Sequence, residues 1–270
     1  MPELPEIETI RIHLENSTPL VIDNCIVYDD RTIEKNHNFA EIVNNSEIIG
    51  IKRKGKYLFL ELNNGYFISV HLRMTGKFYI CDDYVVNNSL SVVFKLKSGK
   101  SLIFTDSRKF GRIILLKNSD FDSYFVKLNL GCDALEITLS DFEYKTNEYK
   151  NRSIKGFLLD QQIIAGIGNI YSDEILFKSK VKPNRAVHTL NNGEKYLIFE
   201  NIGRILSSAI FTKNDATAKY ISEIGDKNSE FNITIHVYQR ENQNCHLCGS
   251  KIEKLKLAGR YSRFCPECQK

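Results

Sequence analysis

The 270-residue chain is 42% hydrophobic and carries 37 Lys and Arg against 33 Asp and Glu, for a net charge of +4. That length favours two domains over one, and that apolar content is enough for real cores. No apolar run approaches a transmembrane helix and no signal-peptide apolar stretch is seen at the N-terminus, so no membrane partner is expected.

In chain order, Pro5 suits the start of a helix over 5–16, with Ile7, Ile10 and Leu14 on one face. From about 20 to 116 the pattern is that of short strands, at 48–51, 57–62, 66–72, 78–81, 91–96, 101–104 and 112–116. Asn63-Asn64-Gly65 and Lys97-Ser98-Gly99 punctuate them as turns, and the spacing predicts a sandwich or barrel. Residues 118–150 are polar and mixed, with a domain boundary expected there. Helices follow at 153–164, at 169–179 with Asn169 as N-cap, and at 193–211. A polar loop is expected over 212–231 and a strand over 233–238.

The chain ends in Cys245-x2-Cys248 and Cys265-x2-Cys268. Two such knuckles supply four thiolates and close a tetrahedral Zn2+ site with no open position, so one structural zinc is expected. Cys25, Cys81 and Cys132 are scattered and odd in number, which together with a thiolate metal site fits a reducing cytosol. Basic residues cluster at 52–56, at 108–112, at Lys150, Arg152 and Lys155, and over 251–263, a placement that fits a polyanionic partner.

Several residues could carry chemistry. Once Met1 is removed, Pro2 becomes an N-terminal secondary amine with a reference pKa of about 8, able to attack an aldehyde-like carbon. Glu3 beside it could shuttle protons. Pro2 alone also reads as an ordinary helix-start residue. The segment with Gly166 and Gly168 offers backbone amides that suit a phosphate or a tight inter-helix turn. Met74, in the run from His71 to Gly76, is either a core residue or a wedge for a base stack. Arg108 and Phe110 pair a cation with an aromatic at a turn, as a surface accident or as a filler of the gap left by an extruded base.

PELPEIET at the start, KGKYL at 54–58, HLRMTG at 71–76, TDSRKFG at 105–111, LLDQQIIAGIGNIYSDE at 158–174, VYQR at 237–240 and AGRYSRFCPECQK at 258–270 stand in one order. Together they resemble bacterial formamidopyrimidine-DNA glycosylase, the base-excision enzyme for 8-oxoguanine and ring-opened purines. The resemblance implies an α+β fold: an N-terminal β-sandwich behind a leading helix, then a helical domain with a helix–two-turn–helix and a zinc β-hairpin finger. The domains are expected at 1–130, 131–235 and 236–270. It implies a monomer in the bacterial cytosol acting on damaged double-stranded DNA, with zinc as the only cofactor.

By the same resemblance, Pro2 matches the nucleophile at C1′, Glu3 the proton donor, Lys56 the lysine of β-elimination and Arg260 a phosphate-gripping residue also assigned to δ-elimination. Asn169 matches the partner of Arg260 on phosphate. Met74, Arg108 and Phe110 match the three residues that enter the void. His71, Lys150, Arg152 and Lys155 are expected at the DNA, and Thr217 and Tyr220 in the loop that caps the lesion. The sequence departs from the family pattern at Gly156, which replaces a commoner bulky residue or Pro after Lys155, and in two further places. Ser89 stands where many members have a DNA-contacting His, and the capping loop opens Lys213-Asn214-Asp215 in place of Gly-Gly. Leu4, where the endonuclease VIII branch has Gly, favours oxidised purines over pyrimidines.

Overall fold

The computed structural model describes residues 2–34, 38–215, 235–257 and 259–270, with the side chains of 213–215 left aside. Thr217 and Tyr220 lie outside the described residues. The chain forms two compact units, the first comprising Met1–Leu128 with 212–230 and the second Asn129–Phe211 with 231–270.

The first unit opens with α1 (Leu4–Glu15), which has Pro5 in its first turn, where a missing N–H costs nothing. Leu4, Ile7, Ile10 and Leu14 are at most 2% exposed. Each such burial contributes roughly 1.5–3 kcal/mol, which fixes the helix on the sheet. β1 (Leu20–Val27) and the short α2 (Phe39–Val43) follow. Next come β2 (Glu47–Lys54), β3 (Tyr57–Leu62), β4 (Tyr66–His71), β5 (Gly76–Cys81), β6 (Leu90–Leu96), β7 (Ser101–Asp106) and β8 (Arg112–Lys117). The helix α3 (Asn118–Leu128) follows them.

The strands pair in the order β5-β7-β6-β1-β2-β3-β4-β8, antiparallel throughout. β1 is the corner. Leu20 and Val21 pair with β2, and from Ile22 on the strand pairs with β6, with an irregularity between Ile22 and Asn24. Such a bulge bends a strand and lets it serve two layers. The layers share one core, where Ile51, Leu60 and Ile68 meet Phe78, Phe94 and Phe104. α3 has no buried residue, yet its Phe121 ring lies 4.3 Å from that of Phe67 and 5.4 Å from that of Phe59, so it covers an outer face of the sheet.

The second unit contains β9 (Cys132–Asp133), α4 (Leu139–Glu148), α5 (Ile154–Leu159), β10 (Ile164–Ala165), α6 (Asn169–Lys178) and α7 (Asn192–Asp215), then the hairpin β11 (Glu253–Leu257) and β12 (Arg260–Phe264). Three expectations are corrected here. The helix expected to 164 stops at Leu159, because Asp160 turns to extended backbone and the Gln161 side chain then holds the turn, donating to Leu159 and Ile167 carbonyls and accepting from Gly166 N–H. The cap of α6 is Gly168, and Asn169 is already helical. Residues 236–238 form no strand. Their N–H groups instead all donate to the buried Glu174 carboxylate, at 2.9 Å each.

Candidate active site and metal centre

At the head of α1, Pro2 is buried and Glu3 is 1% exposed. The Glu3 N–H donates to Glu6 Oε2 at 2.7 Å, and the Ile7 N–H donates to the Glu3 carbonyl at 3.2 Å. The pair Pro2-Glu3 is thus set by the capping box of a helix that is itself anchored in the core.

The same helix orients the β2–β3 turn. Arg53, with a side chain only 6% exposed, donates from Nε to Glu8 Oε2 at 2.5 Å and from Nη1 to the Gly55 carbonyl at 3.1 Å. Burial acts to raise the Glu8 pKa, but the bonds from Arg11 and Arg53 hold it below the ordinary carboxylate range. Gly55 sits at φ 55, a left-handed conformation that glycine reaches without steric cost, and Lys56 follows it in the turn. Lys56 lies close enough to His71 for its charge to act on the ring. Burial, followed by the charges of Arg73 and Lys56, pulls His71 down to about 3. His71 Nδ1 accepts the Arg73 N–H at 3.1 Å, so the neutral ring carries its proton on Nε2 and offers a donor.

Two turns bring Met74, Arg108 and Phe110 together. Met74 is 37% exposed and Phe110 48%, so neither is a core residue. Arg108 Nη1 lies 3.3 Å from Met74 Sδ, and its guanidinium sits 5.0 Å from the Phe110 ring centroid. The sequence reading missed what holds these turns. Asp106 is fully buried, and its carboxylate accepts the Thr75 hydroxyl, the Arg108 N–H at 3.0 Å and the Gly111 N–H at 2.6 Å. Between the two exposed residues, Lys109 turns inward at φ 56 and donates to the Leu90 carbonyl, with Asp29 at 3.3 Å. A Cβ on Gly111 would come within 2.5 Å of the Phe104 ring, so this turn has no room for a side chain.

In the second unit, Arg260 stands exposed at the hairpin turn, opposite Leu257. Asn169 Nδ2 donates to the Tyr261 carbonyl at 3.0 Å, which places Asn169 beside Arg260, and its buried Oδ1 has no hydrogen-bond partner among the described residues. Lys150 is exposed, and Arg152 pairs with Asp160 at 2.6 Å while lying over the Tyr149 ring. Lys155 requires a correction. It is 0% exposed, and its Nζ donates to Asp173 at 2.5 Å, to Ser172 Oγ at 2.7 Å and to the Asn169 carbonyl at 3.2 Å. A buried ion pair is an internal tie, so the Lys155 ammonium is sealed from the surface where a DNA contact was expected. Asp173 also accepts Ser262 Oγ at 2.5 Å and the Arg263 N–H at 3.1 Å. The acidic pair Asp173-Glu174 therefore fixes α6 to the hairpin on one side and to 236–238 on the other.

The four Sγ atoms of Cys245, Cys248, Cys265 and Cys268 lie within 4.8 Å of one another, at 3.8 Å for Cys245–Cys268 and 3.4 Å for Cys248–Cys265. Zn–S bonds of about 2.3 Å at a tetrahedral centre put sulfurs about 3.8 Å apart, so the cluster fits zinc. Both knuckles add an N–H to a ligand sulfur, Leu247 to Cys245 and Cys268 to Cys265, at 3.4 Å each. The four thiolates leave no open position, and the zinc is structural. Its surroundings are a small core of Phe177, Val237, Cys245, Ile252 and Cys265.

A layered β unit with a helix-mounted N-terminal proline, followed by a helical unit with a zinc-stapled basic hairpin, defines the class as a nucleic-acid-handling protein with a zinc finger. Three family models match in order: the formamidopyrimidine-DNA glycosylase N-terminal domain over residues 1–113, the H2TH domain of the same enzymes over 130–220, and the zinc finger found in FPG and IleRS over 242–270. The formamidopyrimidine-DNA glycosylase of Listeria monocytogenes is 36% identical over 276 residues, covering 100% of both chains. The Lactococcus lactis Fpg in complex with abasic-site DNA superposes with a TM-score of 0.88 at 30% identity, covering 99% of each chain. The same protein with N7-benzyl-Fapy-dG DNA gives 0.88 at 31%, covering 100% of each. The chain belongs to the formamidopyrimidine-DNA glycosylase family.

Proposed function

We propose that the protein is a bifunctional DNA glycosylase and AP lyase that removes oxidised purines, 8-oxoguanine and formamidopyrimidines, from duplex DNA in base excision repair. The observation that carries this reading is the N-terminal pair Pro2-Glu3, held at the head of α1 by the Glu6 carboxylate in a chain of this family. Removal of Met1 frees the Pro2 nitrogen. Its lone pair forms the bond to C1′ as the glycosidic bond breaks and the base leaves with that electron pair. Glu3 supplies the proton that opens the sugar ring. The resulting iminium acidifies the C2′ proton; its loss expels the 3′-phosphate by β-elimination, with Lys56 at the phosphates. Arg260 carries the following δ-elimination.

Met74, Arg108 and Phe110 fill the space left by the extruded nucleotide, offsetting part of an unstacking cost of a few kcal/mol. Neutral His71, with Lys56, Lys150, Arg152, Asn169 and Arg260, binds backbone phosphates, so affinity falls with salt as counterions are released. We assign the domains to 1–130, 131–235 and 236–270, and the working state to a cytoplasmic monomer. Borohydride trapping on an 8-oxoguanine:cytosine duplex, after N-terminal sequencing confirms a free Pro2, tests the reading. A covalent adduct is expected, strongly reduced in Pro2→Gly; no adduct from the verified N-terminus refutes it.

A further inference from the structure

Of the residues assigned above, His71 alone lines a cavity of the first unit that has so far been given no role. It measures about 440 Å³ and lies where the C-terminal end of α3 covers the ends of β3, β4 and β8. Volumes of roughly 300–1,000 Å³ are those of small-ligand sites. Its charged lining consists of Arg73, Arg112 and Lys127 against a single carboxylate, Glu34. The neutral polar lining is Tyr57, Ser69, His71 and Tyr124, beside the apolar Ile114 and Leu128. Ser69 Oγ and Tyr124 Oη share a 3.3 Å hydrogen bond, and burial pushes the Tyr57 and Tyr124 phenols up, which keeps their protons on. His71 spends Nδ1 on the Arg73 N–H and keeps an N–H on its other nitrogen. Arg112 gives Nη1 to the Lys109 and Gly111 carbonyls, so part of its guanidinium is committed. The side chains of Arg73 and Lys127 make no hydrogen bond or ion pair among the described residues.

An excess of cations above a floor of hydroxyl and N–H donors selects an oxyanion, and two arginines with a lysine suit phosphate. We propose that this cavity is a phosphate site of the first unit that takes a terminal phosphate monoester, such as the 3′-phosphate end left after strand cleavage. The identity of the natural ligand rests on the glycosylase–lyase reading. A monoester carries about −1.5 to −2 charge near neutral pH, against one negative charge for an internal phosphodiester. It also ends its chain in the cavity, where a continuing strand must leave again.

The test uses the full-length, zinc-loaded protein and two variants, Lys127→Gln and the double variant Arg73→Gln/Lys127→Gln, with thermal unfolding as the folding control. Titration calorimetry with thymidine 3′-monophosphate is expected to show binding, and thymidine none. Loss of each cation weakens binding by about tenfold, the size of one charge-assisted contact. In a second arm, a nicked duplex ending in a 3′-phosphate competes for wild-type protein better than the same duplex ending in a 3′-hydroxyl, and the double variant loses that preference. If the double variant loses affinity equally for both ends and for an uncleaved abasic-analogue duplex, the site takes an internal phosphodiester and the terminal-phosphate assignment is overturned. Unchanged thymidine 3′-monophosphate binding in the folded double variant overturns the site itself. The nucleotide arm needs no catalysis, so failed borohydride trapping with intact nucleotide binding sinks the enzymatic reading and leaves the cavity standing.

Discussion

Replacing Thr75 by Val tests whether Asp106 positions the turn that carries Met74, proposed above to fill the space of the extruded nucleotide. The side chain keeps its shape and loses the hydroxyl that donates to Asp106, while the Arg108 and Gly111 amides still hold the other turn. A hydrogen bond to a charged group is worth roughly 1.5–3 kcal/mol, and a buried acceptor that loses its donor keeps that whole deficit. If all of it appears as looseness of the Met74 turn, base excision slows by a factor of roughly ten to a hundred, since 1.4 kcal/mol is tenfold. Thr75→Ser retains the hydroxyl and is expected near wild type. The assay is single-turnover excision of 8-oxoguanine, with trapping on a preformed abasic site alongside it. The abasic site has no base to extrude, so its trapping falls less. A purely structural role would depress both reactions and the Ser variant's stability alike. Wild-type excision by a folded Thr75→Val protein refutes the positioning argument.

Zinc removal, by chelation or by Cys245→Ser, is expected to abolish DNA binding while the first unit retains its melting transition; intact binding after verified metal loss would contradict a hairpin that delivers Arg260. Lys155→Met leaves Asp173 buried without its cation and is expected to destabilise the second unit by about 3–5 kcal/mol, read by urea unfolding. A variant of normal stability whose only change is a weaker salt dependence of binding would restore Lys155 to the DNA surface. His71 stays neutral in the folded state down to about 3, whereas the unfolded ring protonates below about 6.5. The unfolded state therefore binds the extra proton in that window, and stability falls as pH falls through it. At about pH 4.5 the loss is about 2–3 kcal/mol relative to neutral pH. His71→Gln should remove that part of the acid slope, and an unchanged slope counts against a neutral His71.

Much of the fold was legible because its signals are local. Short β-rich runs punctuated by Gly turns marked seven of the eight strands of the first unit within a few residues. The cysteine spacing alone defined the metal site. The missing strand, β1, does its work by changing partners midway, and no local pattern encodes which neighbour a strand chooses. The helix expected to 164 failed because the Gln161 side chain competes for the backbone that would have continued it.

At the site, the sequence by itself determined the chemistry on offer: a Pro2 nitrogen that removal of Met1 would free, a carboxylate beside it, four thiolates at the other end, and a Met, an Arg and a Phe near two turns, whose exposure only the structure settled. Only the tertiary structure decided which charges face solvent. Lys155 and Lys150 stand in one basic cluster, yet one is sealed against Asp173 and the other is exposed. Asp106 and Arg53 look like any surface charges in the sequence, and they become the groups that hold the turns carrying Met74, Arg108 and Phe110 and the Lys56 turn. The physical reason is that a charge is stable in the interior only where partners from distant parts of the chain meet it, and those partners are brought there by the fold.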